Sequence, residues 1–298
     1  MGLPTLPLAV IAFDFNAYLV VGDSAIRWES VGIALAVLAG ISWLAVIAGR
    51  TPGYEGWIGG EEPRDDVEHE GEGWHLRRDD LLFIVLGAVP GAVVLGRVFY
   101  GIAHLDYYQA EPGTLLDPSL GSLSLSGAVL GGLLTAVYVA ALLDAPVGRW
   151  LHIAAGPVLL ALALGKAAMA LGGSGQGMPS DLPWATAYLG AGPWGSVDPA
   201  TPAHPSQLYE AGATLLVLVI VILIARRSVL RRADGRLFAV AIALWALARA
   251  AVATTWRDPA VLGPFGAEQL LTLGLAAIML AWVFAATVHG RRQRVQPT

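Results

Sequence analysis

The chain has 298 residues, 56% hydrophobic and only 14% charged, against about 25% charged in an ordinary soluble domain. That excludes a soluble globular protein and points to a polytopic membrane protein. With no cysteine, it has no disulfide, thiolate metal site or cysteine nucleophile. Its net charge of −5 is local. Ten of its 23 acids lie between Glu55 and Asp80, the remainder is basic without a long basic run, and nucleic-acid binding is not expected. Neither a metal nor a cofactor is expected.

The first 26 residues hold no Lys or Arg, so the basic front of a cleavable signal peptide is missing. Val31–Gly49 is the first uncharged stretch of bilayer length. Further spans are predicted at Leu81–Ala103, Gly121–Leu143, Leu151–Leu171, Gln207–Ala225, Leu237–Val252 and Glu268–Val288. The fold class is therefore all-α, a single integral membrane domain over residues 1–298 with seven transmembrane helices. Thirteen Lys and Arg fall in the loops and tail on one side and two, Arg27 and Arg257, on the other. The positive-inside rule then puts the N-terminus out and the C-terminus in. The polar stretch 51–80 becomes a cytoplasmic loop with little to bury. The segment 172–203, rich in Gly, Pro and Trp, faces outward, with Trp184 and Trp194 suited to the headgroup layer. No internal repeat of the kind common in transporters is visible.

Three spans carry a cation: Arg97, Lys166 and Arg249. A charge in hydrocarbon is costly, so these residues either converge on an anion such as a lipid phosphate or pair with an acid such as Glu210. Snorkelling to the interface also suits Lys166. Deleting a lone cation such as Arg249 is expected to leave folding intact. The second feature is His204-Pro205-Ser206-Gln207-Leu208-Tyr209-Glu210. A helix start explains Pro205, and Ser206 as a cap. Gln207, Tyr209 and Glu210 stand unexplained in an apolar helix, and Gln207 and Glu210 share a face.

This heptad resembles the signature of the prolipoprotein diacylglyceryl transferases, membrane enzymes that attach a diacylglyceryl group to a prelipoprotein cysteine. The likeness extends to Ile26-Arg27-Trp28, Gly96-Arg97 with Asp106-Tyr107-Tyr108, the glycine-rich run Gly121–Gly132, Arg249, and Arg257-Asp258-Pro259. There are departures. The family's tyrosine after Arg-Trp is Glu29, and its third-helix histidine falls on Ser126. Its long signature of arginine, asparagines and glutamate reads Gly165, Lys166, Ala168-Met169, Gly172, Ser174 and Gly177. The glutamate that follows the sixth-helix arginine falls on Ala253 or Thr254. Lys166 keeps the arginine's charge without its planar fork.

The resemblance implies a transferase of the bacterial inner (cytoplasmic) membrane, acting in lipoprotein biosynthesis. Its partners are phosphatidylglycerol or another anionic lipid and a prelipoprotein signal peptide with a lipobox cysteine. Arg97, Lys166, Arg249, Gln207 and Tyr209 are then the residues expected to bind the lipid phosphate, and His204, Arg249 and Glu210 the catalytic ones. His204 is the base best placed by the motif, ahead of His104 and Glu210. Two alternatives stay open: an inactive or repurposed relative that binds anionic lipid or signal peptides, and a transporter.

Overall fold

The computed structural model describes residues 10–51, 76–110, 112–116, 123–226 and 234–295. Among the described residues eight α-helices run in chain order: α1 Trp28–Ala48, α2 Arg78–Ala103, the short α3 Leu105–Ala110, α4 Leu125–Leu142, α5 Val147–Met169, α6 Ser206–Ala225, α7 Arg236–Val252 and α8 Ala267–Val295. All but α3 are long and apolar enough to cross a membrane, so the chain is a multi-pass membrane protein. The helices start and stop within about four residues of the predicted spans, because uninterrupted hydrophobic length dictates them, except that α8 continues past Val288 to Val295 through a polar end. Of the predicted loop 51–80, residues 52–75 lie outside the described residues. Its last residues, from Arg78, already belong to α2, and Leu76 N donates to the Thr51 carbonyl at 2.9 Å, closing the loop at its neck.

Packing follows residue size. α2 and α4 meet along the spaced glycines Gly87, Gly91, Gly127 and Gly131, where a Cβ on Gly131 would lie 2.0 Å from the Gly91 carbonyl oxygen. Helices approach this closely only through small residues, whose backbones then supply the dispersion contacts that hold helices together in lipid. α1 packs on α5, and α7 lies at the centre, touching α5, α6 and α8. Its membrane-length window is 61% buried, against 11–33% for the other six spans. Its Trp245 and Ile242, with Leu159, Val221 and Leu275 from the helices around it, form the main apolar core. The outer helix faces carry exposed Leu134, Leu216, Leu223 and Phe284, as lipid contact requires.

One end of the bundle gathers the C-terminal ends of α2, α5 and α7 and the N-terminal ends of α1, α4, α6 and α8. Among the described residues the same end carries six short strands that the sequence does not announce. β1 (Ile11–Phe13) pairs in parallel with β4 (Thr186–Tyr188), Ile11 opposite Thr186. β2 (Tyr18–Val21) and β3 (Ser24–Arg27) form a hairpin leading into α1. β5 (Ala260–Leu262) and β6 (Phe265–Gly266) form another between α7 and α8. The segment 172–203 is thus an ordered cap. Trp184 is half exposed, as an interfacial anchor should be. Trp194 instead packs against Tyr188 and Phe15, with ring centroids 4.9 and 5.3 Å away, and is a wedge within the cap rather than an anchor.

Candidate functional site

Beneath this cap, a string of charged and polar side chains crosses the bundle. Glu210 sits one turn into α6 and is 1% exposed. One of its oxygens accepts from Nη1 of Arg249, near the end of α7. The other lies 3.1 Å from Nζ of Lys166, near the end of α5. Arg249 Nη2 reaches Glu268 Oε1, in the first turn of α8, at 3.1 Å. Glu268 in turn accepts from Ser124 Oγ at 2.7 Å and Ser126 Oγ at 2.9 Å. Ser124 also caps α4 by accepting from Gly127 N. Five helices therefore contribute to one row: Lys166, Glu210, Arg249, Glu268, Ser124 and Ser126. Two cations facing two carboxylates leave the row formally neutral, which makes it tolerable at membrane depth. The Arg249 guanidinium also lies 4.5 Å from the Trp256 ring centroid, a cation–π contact that closes its open side. Arg249 Nε is buried and has no hydrogen-bond partner.

Of the three intramembrane cations, Lys166 and Arg249 meet at Glu210. Arg97 turns its Nε to the Leu115 carbonyl (2.7 Å) and Nη2 to the Thr114 carbonyl (2.8 Å), beside the Tyr108 ring. Its helix nevertheless abuts the row, since Ser124 N donates to the carbonyl of the adjacent Gly96. Lys166 does not snorkel: its ammonium is spent on Glu210. Ser126, at the family's histidine position, does make a polar contact there, to Glu268.

The heptad does two jobs. His204 and Ser206 fasten the cap. The His204 carbonyl accepts from Gly177 N at 2.8 Å, and Ser206 Oγ lies 2.6 Å from Thr255 Oγ1. Ser206 is therefore not the helix cap expected of it. Pro205 holds the N-cap position, with no side-chain bond to the helix, and Ser206 ties α6 to the end of α7. A Cβ on Gly177 would strike Ser206 Oγ at 2.2 Å and the Thr255 carbonyl at 2.3 Å, which explains a glycine there. His204 Nδ1 faces the Tyr209 hydroxyl at 3.4 Å, and that hydroxyl accepts from Trp184 Nε1 at 2.6 Å. His204 and Tyr209 thus form a small cluster with Trp184.

Gln207 and Glu210 share the buried face, as expected. Gln207 Nε2 donates to the Tyr188 hydroxyl at 2.9 Å, while its Oε1 is buried without a partner. Burial, opposed by that hydrogen bond, pushes the Tyr188 hydroxyl up to about 12. The charge of Glu29 adds to the rise. Glu29 itself is buried, paired with Arg27 at 3.0 Å and accepting from Ser174 Oγ at 2.7 Å. Two family positions that read as losses in the sequence, 29 and 174, thus hold a carboxylate and a hydroxyl in contact.

Sequence reasoning missed Glu268 and Ser124, and read Ser126 as the loss of a family histidine rather than as a member of the row. A charge count gives the signal for Glu268: three cations stand within the spans while Glu210 is the one acid deep in a span, and Glu268 stands at the start of the last span. A cavity of 160 Å³ opens beside the row, lined by Met178, Ala253, Thr254, Trp256, Asp258 and Gln269, among others. Asp258 is exposed overall, yet desolvation where its carboxyl meets the cavity, and then the charge of Glu268, hold that carboxyl above the ordinary aspartate range, opposed by the charges of His104 and Arg249. Chemically, the row presents fixed donors and paired charges in a largely buried site, the preorganisation that stabilises developing charge.

The family model of prolipoprotein diacylglyceryl transferase matches residues 17–285. Similar proteins named phosphatidylglycerol–prolipoprotein diacylglyceryl transferase occur in several bacteria. That of Trichormus variabilis is 29% identical over 292 residues, covering 94% of this chain and 93% of its own. That of Geobacter sulfurreducens is 31% identical over 228 residues, covering 74% and 82%. That of Bacillus cytotoxicus is 24% identical over 285 residues, covering 92% of each.

Proposed function

The chain belongs to the prolipoprotein diacylglyceryl transferase family, and from that premise we propose that it moves the diacylglyceryl group of phosphatidylglycerol to the lipobox cysteine of a prelipoprotein. The sulfur attacks the glycerol carbon that bears the phosphate. A C–S bond forms, the C–O bond breaks, and glycerol phosphate leaves with the electron pair. The observation that carries this reading is the buried row centred on Arg249, fixed from five helices at one end of an apolar bundle. A site of this kind stabilises negative charge on a leaving phosphate. Arg249 is the residue assigned to the phosphate; Lys166, which shares Glu210 with it, and Arg97, Gln207 and Tyr209, which are held by other partners, are proposed as further lipid contacts. Glu210 holds the two cations in place. His204 organises the cap above them.

Purified protein in phosphatidylglycerol nanodiscs, offered a peptide with a lipobox cysteine, is expected to release glycerol phosphate and yield a thioether-linked peptide. A second reading draws on Ser126, Lys166, Met169 and Ser174, which stand where the family has other residues. On that reading the protein binds anionic lipid or the signal peptide without turnover. Folded protein that binds phosphatidylglycerol and releases nothing would select it.

The reading also places the protein in the bacterial inner membrane with the cap outside. Because the chain has no native cysteine, one introduced thiol reports its own position without background. Val197 is 93% exposed, whereas Ser174 is tied to Glu29, so Val197→Cys is the better probe. It is expected to react with a membrane-impermeant maleimide on intact spheroplasts. Labelling only after lysis would invert the topology.

A further inference from the structure

Resting on the transfer reading, we propose that Asp258 is the group that takes the proton from the incoming thiol. A thiol is a weak nucleophile until it ionises, so the reaction needs an acceptor at the place where sulfur meets lipid. The carboxylates of the row and of the buried ground next to it are all spent. Glu210 gives one oxygen to Arg249 and the other to Lys166. Glu268 gives its two to Arg249 and the two serines. Glu29 is committed to Arg27 and Ser174. His204 is turned to Tyr209, and His104 to the carbonyl of Tyr100 and the face of its ring.

Asp258 differs. It lines the 160 Å³ cavity beside the row, and among the described residues its carboxylate has no hydrogen bond or ion pair. The charged and titratable groups that act on it are Glu268 from α8, His104 from the end of α2 and Arg249 from α7. Its neighbour Arg257 turns away, Nε donating to the Gly177 carbonyl at 2.5 Å. Trp256 both lines the cavity and covers Arg249, so the cavity and the residue assigned to the phosphate share one side chain as a neighbour.

The step balances. The Asp258 carboxylate accepts the thiol proton, the sulfur electron pair forms the C–S bond, the C–O electrons leave with glycerol phosphate, and the proton passes to water as product departs. The raised position of the Asp258 carboxyl works in the same direction, because it narrows the gap to a thiol near 8.5. As a base it acts in its ionised form, so activity falls as pH drops through its folded value, which lies above the ordinary aspartate range.

The test compares wild type, Asp258→Asn and Asp258→Glu on two peptides, one with the lipobox cysteine and one with selenocysteine, whose selenol is already ionised at neutral pH. With the cysteine peptide, Asp258→Asn is expected to lower kcat by roughly 100-fold and to flatten the acidic limb of the pH profile, while Asp258→Glu retains part of the rate. With the selenocysteine peptide, Asp258→Asn is expected to return to within a few-fold of wild type. Equal loss on both peptides would assign Asp258 a structural part and overturn the proposal, as would an unchanged profile in Asp258→Asn. No release by wild type with either peptide would overturn the transfer reading, and the base with it.

Discussion

Arg249→Ala is expected to abolish glycerol phosphate release, a loss of at least about 100-fold for one preorganised charged donor, and to destabilise the fold as well. The second effect reverses what the sequence alone leads one to expect. A lone cation in hydrocarbon would be a liability whose deletion spares the fold. In the structure, Arg249 is the only described bridge between two carboxylates, Glu210 and Glu268. Its removal leaves Glu268 held by two serines and Glu210 by Lys166 alone. Breaking a buried pair in this way costs about 3–5 kcal/mol. Arg249→Lys separates the two effects. It keeps the charge between the carboxylates but loses the planar fork, so thermal stability in detergent is expected to recover more than activity does. Turnover that survived Arg249→Ala would remove the phosphate from this position.

The second large effect involves no charge. Gly131→Ala adds one carbon, which would lie 2.0 Å from the Gly91 carbonyl oxygen and 2.8 Å from Leu95 Cβ. Backbone cannot yield to such a contact as a flexible side chain can, so α2 and α4 must part. A penalty of about 3 kcal/mol is expected, seen as earlier thermal aggregation in detergent. Gly132→Ala is the matched control: the same change one residue along meets Ala92 Cβ at 3.5 Å, an ordinary contact, and is expected to be nearly silent. Equal behaviour of the two variants would mean that the helices do not pack as closely as described.

Much of this architecture is legible in the sequence, for a physical reason. Lipid forces each crossing to be a long apolar helix, so α1, α2 and α4 to α8 are visible as composition. The buried face of α6 is also legible, since Gln207 and Glu210, three residues apart in an apolar helix, must turn away from the acyl chains and toward the bundle interior. Contacts that join distant elements are not. Glu268 looks like an ordinary acid in the first turn of a helix, and nothing local says that its partner is Arg249, one hairpin earlier. Glu29 and Ser174 look like two separate departures from a motif until the fold sets them 2.7 Å apart. The strands of the cap are two to four residues long, too short for any periodicity to appear.

The pairing of β1 with β4 sets a schedule for biogenesis. Phe13 and Tyr188 face each other in register, yet four membrane crossings, α1, α2, α4 and α5, are made between them. At bacterial synthesis rates the first strand therefore waits on the order of ten seconds or more for its partner. Throughout that interval its edge is open to other extended chains. The last elements to assemble are then the cap and the row beneath it, because Glu268 arrives only with α8. A nascent chain stalled before the final crossing would hold Arg249 with one of its two carboxylates absent, a half-built centre that a quality-control protease has reason to recognise.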